Sequence, residues 1–494
     1  MTRVLRAARA SQAKRFALLV CIVFAAGIAY LASTQLTTVL TLAAGAACAL
    51  FLYAVLRKPG IGLYALAASV PLLTISIHLG VSLYLHRIVL VMLLGIVYMR
   101  TSITGSAKLP RTTLHLCLAV LMAVITVSLL VAEDRLFGLR IAFIYLELIL
   151  MFYAVALTMT RRRQVDTIIV VMIVVGTLLA AYGVLQVAGP FLGIDTSLHF
   201  LDGLPAVHWK HRLGTHWATD TGFPRAWGTL PESNLFAGYL VSLMSLTGCI
   251  TFLTREKGTE RVGSLFFTLA LMLLSLGFVL AFSRSGLVGL IGSVFSIALV
   301  YPQSLKSKKL YAVLVVLIVF LLCANLAMSA LLSRSLLDVF VDRLARILQP
   351  GDVNIAAHTM TMQIAIDAFK TRPILGFGIG NLQSFYSTTF QTAVPGAHSD
   401  FLQFLAETGI VGFIAQVSVM AAVIGYLLGT LRRLGKGTRE YAITLGFLSG
   451  YIGMLFGNLF YSYYATAFVW FFTAVGVNTA RIFRKDLLGA EGAR

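Results

Sequence analysis

Charged side chains are scarce in this chain: Asp, Glu, Lys and Arg make up 12% of its 494 residues, whereas hydrophobic residues make up 59%. Soluble globular domains carry about 25% charged residues. A water-soluble fold cannot bury this much apolar surface, but a bilayer solvates it. The apolar residues also fall into runs of about 20, the length of a helix that crosses ~30 Å of hydrocarbon. Backbone groups in lipid must be satisfied within a segment, so we predict an all-α polytopic membrane protein.

Cysteines are also few, and metal-binding motifs are lacking. The five cysteines all fall inside apolar runs, which excludes a loop disulfide framework and zinc-type spacing. The long outer loops described below hold no Asp-x-Asp motif. We therefore expect no metal ion and no other cofactor. The basic first fifteen residues are followed by a long apolar run without a small-residue cleavage site, so we expect a cytoplasmic tail rather than a signal peptide.

The apolar runs predict 12–14 transmembrane helices. The candidate spans are 16–34, 36–56, 61–77, 84–100, 114–132, 139–158, 166–188, 234–253, 263–281, 285–301, 310–332, 410–430, 440–459 and 464–482. Pro71, His78 and His86 leave 61–77 and 84–100 open to a re-entrant or interfacial placement. With the N-terminus in the cytoplasm, 27 of the 39 Lys and Arg residues fall on the cytoplasmic side and 12 on the other. This distribution follows the positive-inside rule and predicts that both termini are cytoplasmic.

The predicted topology divides the chain into seven parts. They are a basic cytoplasmic tail (1–15), N-terminal transmembrane helices (16–188), an outer loop (189–233), central transmembrane helices (234–332), a large outer loop (333–409), C-terminal transmembrane helices (410–482) and a cytoplasmic tail (483–494). The net charge of +20 then reflects topology and attraction to anionic membrane lipids. Because the charges are scattered over many short loops, nucleic acid is not an expected partner.

The two outer loops are too long to be simple turns, and segments of this length are usually functional or disordered. Tryptophans, prolines and periodic apolar positions in them favour order. Within the second loop, residues 354–370 have apolar positions at helical spacing, including Ile355, Met362 and Ile366. We expect an amphipathic helix there, lying on the outer membrane surface.

Arg284 lies in the stretch 282–286 (FSRSG), between two apolar runs with no room for a loop. An arginine at the edge of the hydrocarbon costs a few kcal/mol unless it meets an anion or water. A topological stop or a snorkelling side chain is the simpler interpretation. The predicted outer position works against the positive-inside bias, however, and this favours a functional role.

Arg225 lies in the stretch 223–234 (FPRAWGTLPESN), directly before a predicted span. We expect Ser233 or Asn234 to cap that helix. The positive end of the helix dipole would then lie beside Arg225, which suits a phosphate or another anion. An ordinary loop arginine is the alternative.

His398 opens the stretch 398–412 (HSDFLQFLAETGIVG), where the loop ends and a helix is expected to begin. A histidine of ordinary pKa, near 6.5, can accept a proton from a hydroxyl group at neutral pH. The alternative is a polar surface residue.

Other candidates carry weaker signals. The clustered residues His208, His211 and His216 lack a Cys or carboxylate to complete a metal site. The glycine-rich residues 376–380 follow no predicted strand, so a dinucleotide loop is not expected. Glu147 is a carboxylate well inside a predicted span, where it could serve a proton-coupled carrier or pair with an arginine.

These stretches together resemble the O-antigen ligase/polymerase superfamily of bacterial envelope glycosyltransferases. The stretch 398–412 is similar to its signature of a His, a Leu, Glu-x-Gly and a further Gly, and 372–381 (RPILGFGIGN) to the approach to that signature. Residues 283–285 resemble its Ser-Arg motif, and Arg225 to Asn234 its third element. One departure is that Pro-Glu-Ser-Asn stands where the family often has Asn-Pro-Asn, which weakens any role there except that of Asn234.

The resemblance implies a GT-C-like membrane fold in a bacterial inner membrane and a metal-independent transfer at the periplasmic face. The donor would be a glycan on polyprenyl (undecaprenyl) diphosphate. Arg225 and Arg284 would hold the diphosphate, and His398 would act on the acceptor hydroxyl. The motif match also marks possible supporting residues: Asn234, Ser283, Asp400 and Glu407.

The leading hypothesis is an O-antigen ligase that acts on lipid A–core in lipopolysaccharide biosynthesis. The motifs do not separate this activity from that of an O-antigen or exopolysaccharide repeat-unit polymerase. A third branch transfers the glycan to a protein hydroxyl. The alternative of another class is a transporter of lipid-linked glycans or solutes. Such a transporter is expected to have internal repeats and charges near the middle of the membrane, and the sequence has no clear repeat.

Overall fold

The computed structural model describes residues 49–78, 82–104, 113–197, 207–209, 216–217, 223–254, 261–306, 308–332, 335–345, 353–383, 385 and 396–491. The predicted span 16–34 lies outside these residues. The described chain is predominantly α-helical, which confirms the predicted all-α class.

The helices follow the predicted spans closely. They are α1 Pro59–Ser69, α2 Leu85–Thr104, α3 Thr113–Ser128, α4 Arg135–Thr158, α5 Arg162–Ala188, α6 Ser233–Leu253, α7 Arg261–Leu280, α8 Arg284–Val300, α9 Lys308–Leu332, α10 Leu336–Ala345, α11 Val353–Thr371, α12 Asp400–Leu431, α13 Arg439–Gly457 and α14 Ala467–Glu491. Residues 49–57 are also helical.

Among the described residues, six helical segments are long and apolar enough to cross a membrane. They are Leu85–Ser102, Arg135–Thr158, Arg162–Leu192, Ser233–Leu253, Leu310–Ala330 and Asp400–Leu431. Shorter apolar helices are Thr113–Ser128, Leu265–Leu280 and Arg284–Val300. These helices confirm a multi-pass membrane protein, and the total of 12–14 spans stays a prediction.

The prediction of one helical span over 61–77 is wrong. Helix α1 ends at Ser69, and Pro71 lacks the N–H that would continue the helical hydrogen bonds. The chain then forms strand β1 (Ile75–His78), which pairs antiparallel with β2 (Ser82–Tyr84) on one side and with β3 (Val207–Trp209) on the other. The β1–β3 pairing connects the N-terminal part of the chain to the predicted first outer loop.

Helices α6, α8 and α13 form the tightly packed centre of the bundle. Gly289 of α8 lies directly against Gly453 of α13: a Cβ added at either one would come within 2.8 Å of the other's carbonyl oxygen. Small residues at such a crossing allow two helix backbones to approach closely. The Ser245 and Ser293 hydroxyl groups, 2.5 Å apart, connect α6 to α8 one turn away. This packing brings the N-terminus of α8 beside the loop that follows α13.

Helix α12 is interrupted at Gly409, whose backbone angles are φ 64° and ψ −167°. The break lets the N–H of Ile410 donate to the carbonyl oxygen of Pro373, at 2.9 Å. A Cβ at Gly409 would lie 2.2 Å from the carbonyl oxygen of Ile374, so only glycine fits there. Residues 373 and 374 are thereby fixed on α12, the helix that begins just after His398.

Helix α11 confirms the helix predicted over 354–370. Its buried face carries Thr361, Ile364, Ala365 and Ala368. The last three pack in a small core together with Ala397 and other residues near the start of α12. The helix is therefore fixed against the segment that bears His398.

The carboxylate of Glu147 pairs with arginine, as one of the two hypotheses stated. Its Oε2 lies 2.9 Å from Nε of Arg87, and its Oε1 lies 3.4 Å from Nε2 of His86. A charge within apolar helices is costly unless it is paired, so this contact gives Glu147 a structural role between α4 and α2.

Candidate active site

Arg284 is the first residue of α8, and Ser283 caps that helix. The Ser283 hydroxyl accepts a hydrogen bond from the N–H of Gly286, at 3.1 Å, and donates one to Oδ1 of Asn234, at 2.8 Å. The Arg284 side chain is half-buried. Within the described part of the chain, no hydrogen-bond or ion-pair partner is found for its guanidinium group. A half-buried cation at a helix N-terminus is well suited to bind an anion.

Arg225 lies beside the turn that precedes α8. Its Nε donates to the carbonyl oxygen of Ala281, at 3.0 Å, and its Nη2 lies 3.4 Å from both the carbonyl oxygen of Phe282 and Oδ1 of Asn234. Phe282 has a φ of 47°, uncommon for a residue other than glycine. Because the two arginines are joined through residues 281–283 and Asn234, the structure brings together the cations that the motifs predicted.

The expected helix cap by Ser233 or Asn234 is wrong. Helix α6 begins at Ser233, and the residue before it, Glu232, makes no side-chain capping bond. The Asn234 side chain instead accepts from Arg225 and Ser283. The Asn234 amide therefore connects the two motifs instead of capping its own helix.

The segment that carries Arg225 is held by residues for which no site role was predicted. The buried Gln186 side chain accepts from the N–H groups of Trp227 and Gly228, at 3.1 and 2.8 Å, and donates to the carbonyl oxygen of Gly228, at 2.9 Å. Both the N–H and the hydroxyl of Thr74 donate to the carbonyl oxygen of Thr229. A glutamine inside an apolar span is a detectable signal for such a role.

His398 lies just before α12, with a left-handed φ of 49°. Residues held in this sparsely populated region often cluster at functional sites. Its half-buried ring lies 4.0 Å from the ring of His358 and 6.1 Å from that of Tyr461, measured between centroids. Burial lowers the pKa of His398 from its ordinary value of 6.5. The imidazole is therefore unprotonated at neutral pH, as a general base requires.

His358 is a candidate site residue that no sequence motif marks. It lies on α11, and its ring contacts that of His398. Burial, then the neighbouring His398 and then the positive charge of Arg284 lower its pKa from 6.5 to about 4. The charge of Arg284 therefore acts on the histidine pair.

Asp400 and Tyr461 connect the site to the loop between α13 and α14. Oδ2 of Asp400 accepts from the N–H groups of Tyr463 and Tyr464, at 2.8 and 2.5 Å. The hydroxyl of Tyr461 donates to the carboxylate of Glu232. Desolvation raises the pKa of Glu232, and the charge of Arg225 acts against that rise. Asp400 thus fixes the start of α12, while Glu232 lies within the electrostatic range of Arg225.

Glu407 holds the glycine-rich segment in place. Its Oε2 accepts from the N–H of Gly380, at 2.8 Å, and its Oε1 accepts from Nε2 of Gln403, at 3.1 Å. Its carbonyl oxygen accepts from the N–H of Gly378, at 2.7 Å. Gly376, Gly378 and Gly380 all have positive φ. The motif glycines therefore serve a tight backbone fold around Glu407.

Two of the clustered histidines, His208 and His216, lie on β3 and on β4 (His216–Trp217); β4 pairs with β5 (Pro224–Arg225). The third, His211, lies outside the described residues. Within the described ranges no group of three His, Cys, Asp or Glu residues could hold a metal ion.

The fold and the site thus define a polytopic membrane protein in which two arginines are joined through residues 281–283 and Asn234, and in which the charge of Arg284 acts on a pair of contacting histidines. Residues 269–417 match the family model described as O-Antigen ligase. This match supports the predicted resemblance to the O-antigen ligase/polymerase superfamily. The matched family indicates a glycosyltransferase-like enzyme, and its partners are in general a lipid-linked glycan and a saccharide acceptor. The matched region includes Arg284 and His398 and begins after Arg225. No curated protein matches the chain.

Proposed function

We propose that this protein transfers a glycan from undecaprenyl diphosphate to a saccharide acceptor at the periplasmic face of a bacterial inner membrane. The acceptor is lipid A–core, so that the protein acts as an O-antigen ligase in lipopolysaccharide biosynthesis. The observation that carries the proposal is Arg284: a half-buried guanidinium group with no partner among the described residues, close to Arg225 and to the histidine pair.

The acceptor hydroxyl attacks the anomeric carbon of the glycan, and His398 takes the hydroxyl proton. The bond between that carbon and the diphosphate oxygen breaks, and the electron pair leaves with the diphosphate. Arg284 and Arg225 stabilise the negative charge that develops on it. Attack opposite the leaving group inverts the configuration at the anomeric carbon. Two guanidinium groups supply the positive charge that this step needs, so the proposed reaction uses no metal ion.

The first experiment replaces the base, as His398→Ala. We expect transfer of glycan in membranes to fall about 10²- to 10⁴-fold, the usual contribution of a general base, with an unchanged amount of protein. His115→Ala is the matched control, because His115 is also half-buried but stacks on Tyr153 within the helices. Full activity of the His398 variant would remove His398 from the reaction.

The acceptor is tested by the products of a strain that lacks this protein. If the protein is a ligase, its loss leaves finished, unligated glycan chains on the carrier lipid. If it is a repeat-unit polymerase, the alternative within the same family, its loss leaves single repeat units on the carrier lipid. Accumulation of single units would therefore refute the lipid A–core assignment while keeping the transfer chemistry.

A further inference from the structure

The histidine pair combines a residue of the predicted signature with one from a different helix. His358 lies on α11, 40 positions before His398 in the chain. Its ring is tilted by 38° from the ring of His398, at a centroid distance of 4.0 Å. At this distance the two rings are in contact, and the His358 ring covers part of the His398 ring that water would otherwise reach.

The position of His358 follows from the packing of α11. Thr361, Ala365 and Ala368 follow it at intervals of three, four and three residues, and all three are buried. Side chains at these intervals lie on one face of a helix. The face that fixes α11 on the start of α12 therefore also directs His358 toward His398. The hydroxyl of Thr361 donates to the carbonyl oxygen of His358, at 2.8 Å, on the same face.

The backbone of His398 needs such support. Its φ of 49° is unfavourable for a residue with a Cβ and persists only where the surroundings impose it. Ser399, the next residue, caps α12, and Asp400 is held by the loop after α13. These contacts fix the backbone on one side of His398, and the ring of His358 fixes the imidazole itself.

Burial and two positively ionisable neighbours favour a neutral His358. The neighbouring His398 and the positive charge of Arg284, at the start of α8, both lower the pKa of His358, and the ring of Tyr461 approaches His398 from the loop after α13. Two imidazolium ions in contact beside an arginine would repel one another. His358 thus provides a neutral ring surface, while His398 keeps its own proton-accepting capacity.

We propose that His358 is a positioning residue of the transfer site, whose ring packs on His398, limits its hydration and holds it in the orientation in which it accepts the hydroxyl proton. This inference rests on the proposed function, because it gives His358 a role only through His398. It adds a residue that lies outside the motifs of the superfamily resemblance.

The test compares His358→Ala with His358→Phe in the full-length protein in membranes. His358→Ala removes the ring, so we expect kcat to fall about 10-fold or more, as for small misplacements of catalytic groups, with little change in the KM for the lipid-linked donor. His358→Phe keeps a planar ring that binds no proton and should retain most of the activity. Met360→Ala is the control on the same helix, because its side chain is 48% exposed.

A pH profile separates positioning from a purely structural role. Without the covering ring, His398 is better hydrated and its pKa returns toward 6.5, since burial is what lowers it. The acid limb of kcat should then move to higher pH in His358→Ala and stay in place in His358→Phe. A loss that is equal at every pH would overturn the proposal, because a misfolded fraction lowers the rate without moving the limb.

Two further outcomes count against the inference. Wild-type activity of His358→Ala would show that the ring contact has no function. If His358→Phe were as inactive as His358→Ala, a ring nitrogen rather than the ring surface would be essential, and the positioning role would be wrong. If instead His398→Ala kept full activity, the proposed base itself would fail, an outcome distinct from a failure that concerns His358 alone.

Discussion

Arg225 and Arg284 should respond differently to the same replacement by lysine. A lysine keeps the positive charge but loses the planar, multidentate hydrogen-bonding group. In Arg284 the guanidinium group has no partner among the described residues, so its hydrogen bonds are available to a ligand. In Arg225 the same group donates to the carbonyl oxygens of Ala281 and Phe282 and to Asn234.

The magnitudes follow from these partners. A hydrogen bond to a charged group contributes about 1.5–3 kcal/mol, and each 1.36 kcal/mol is about tenfold in rate. Arg284→Lys, which loses one such bond to the diphosphate, should therefore lower kcat/KM for the donor about 10- to 150-fold and leave the thermal unfolding midpoint unchanged. Arg225→Lys also loses bonds within the protein, so both its activity and its unfolding midpoint should fall.

The assay measures initial rates of glycan transfer by detergent-purified protein over a range of donor concentrations, together with the thermal unfolding midpoint of each variant. Arg140→Lys, at an exposed position on α4, controls for the substitution itself. Wild-type kcat/KM in Arg284→Lys would refute the diphosphate contact, since a point charge would then be sufficient. An unchanged unfolding midpoint in Arg225→Lys would refute the structural role of that side chain.

Two further outcomes follow from the structure. Burial lowers the pKa of His398, and the base must be unprotonated to act. Activity should therefore persist below pH 6.5 and be lost as the pH falls through the lowered pKa. A pH–rate profile whose acid limb lies above pH 6.5 would contradict this expectation. Gly409→Ala should destabilise the protein by about 1–3 kcal/mol and lower its unfolding midpoint, because the position has a positive φ and the new Cβ would lie 2.2 Å from a backbone oxygen. Gly425→Ala on the same helix is the control. Its Cβ would meet nothing within 4 Å, so the unfolding midpoint should stay unchanged or rise slightly.

The sequence was sufficient to predict the membrane class and most helix positions, and it singled out Arg225, Arg284 and His398 as candidate site residues. Apolar length and motif spacing carry this information directly. Helix α1 was overextended because the apolar run continues past Ser69 into strand β1, and an apolar run alone does not distinguish a helix from a strand.

The features of the candidate site that the sequence did not predict depend on contacts between distant segments. His358 has no motif around it, and its position beside His398 follows only from the docking of α11 on α12. Asn234 was expected to serve its own helix, but its side chain bonds to Arg225 and Ser283, far along the chain. Gln186 was the detectable exception, as a polar side chain within an apolar span.

The support of residues 227–229 by Gln186 and Thr74 has a consequence for exchanging parts between relatives. A chimera that received only residues 269–417 from this chain would acquire Arg284 and His398. In such a chimera, the arginine that corresponds to Arg225 would come from the recipient. Its position would be set by the recipient's own early helices, through their contacts with the turn before α6. The spacing between the two cations is therefore a joint property of donor and recipient segments. A fully active exchange requires the early helices, the turn and the matched region to be transplanted as one unit.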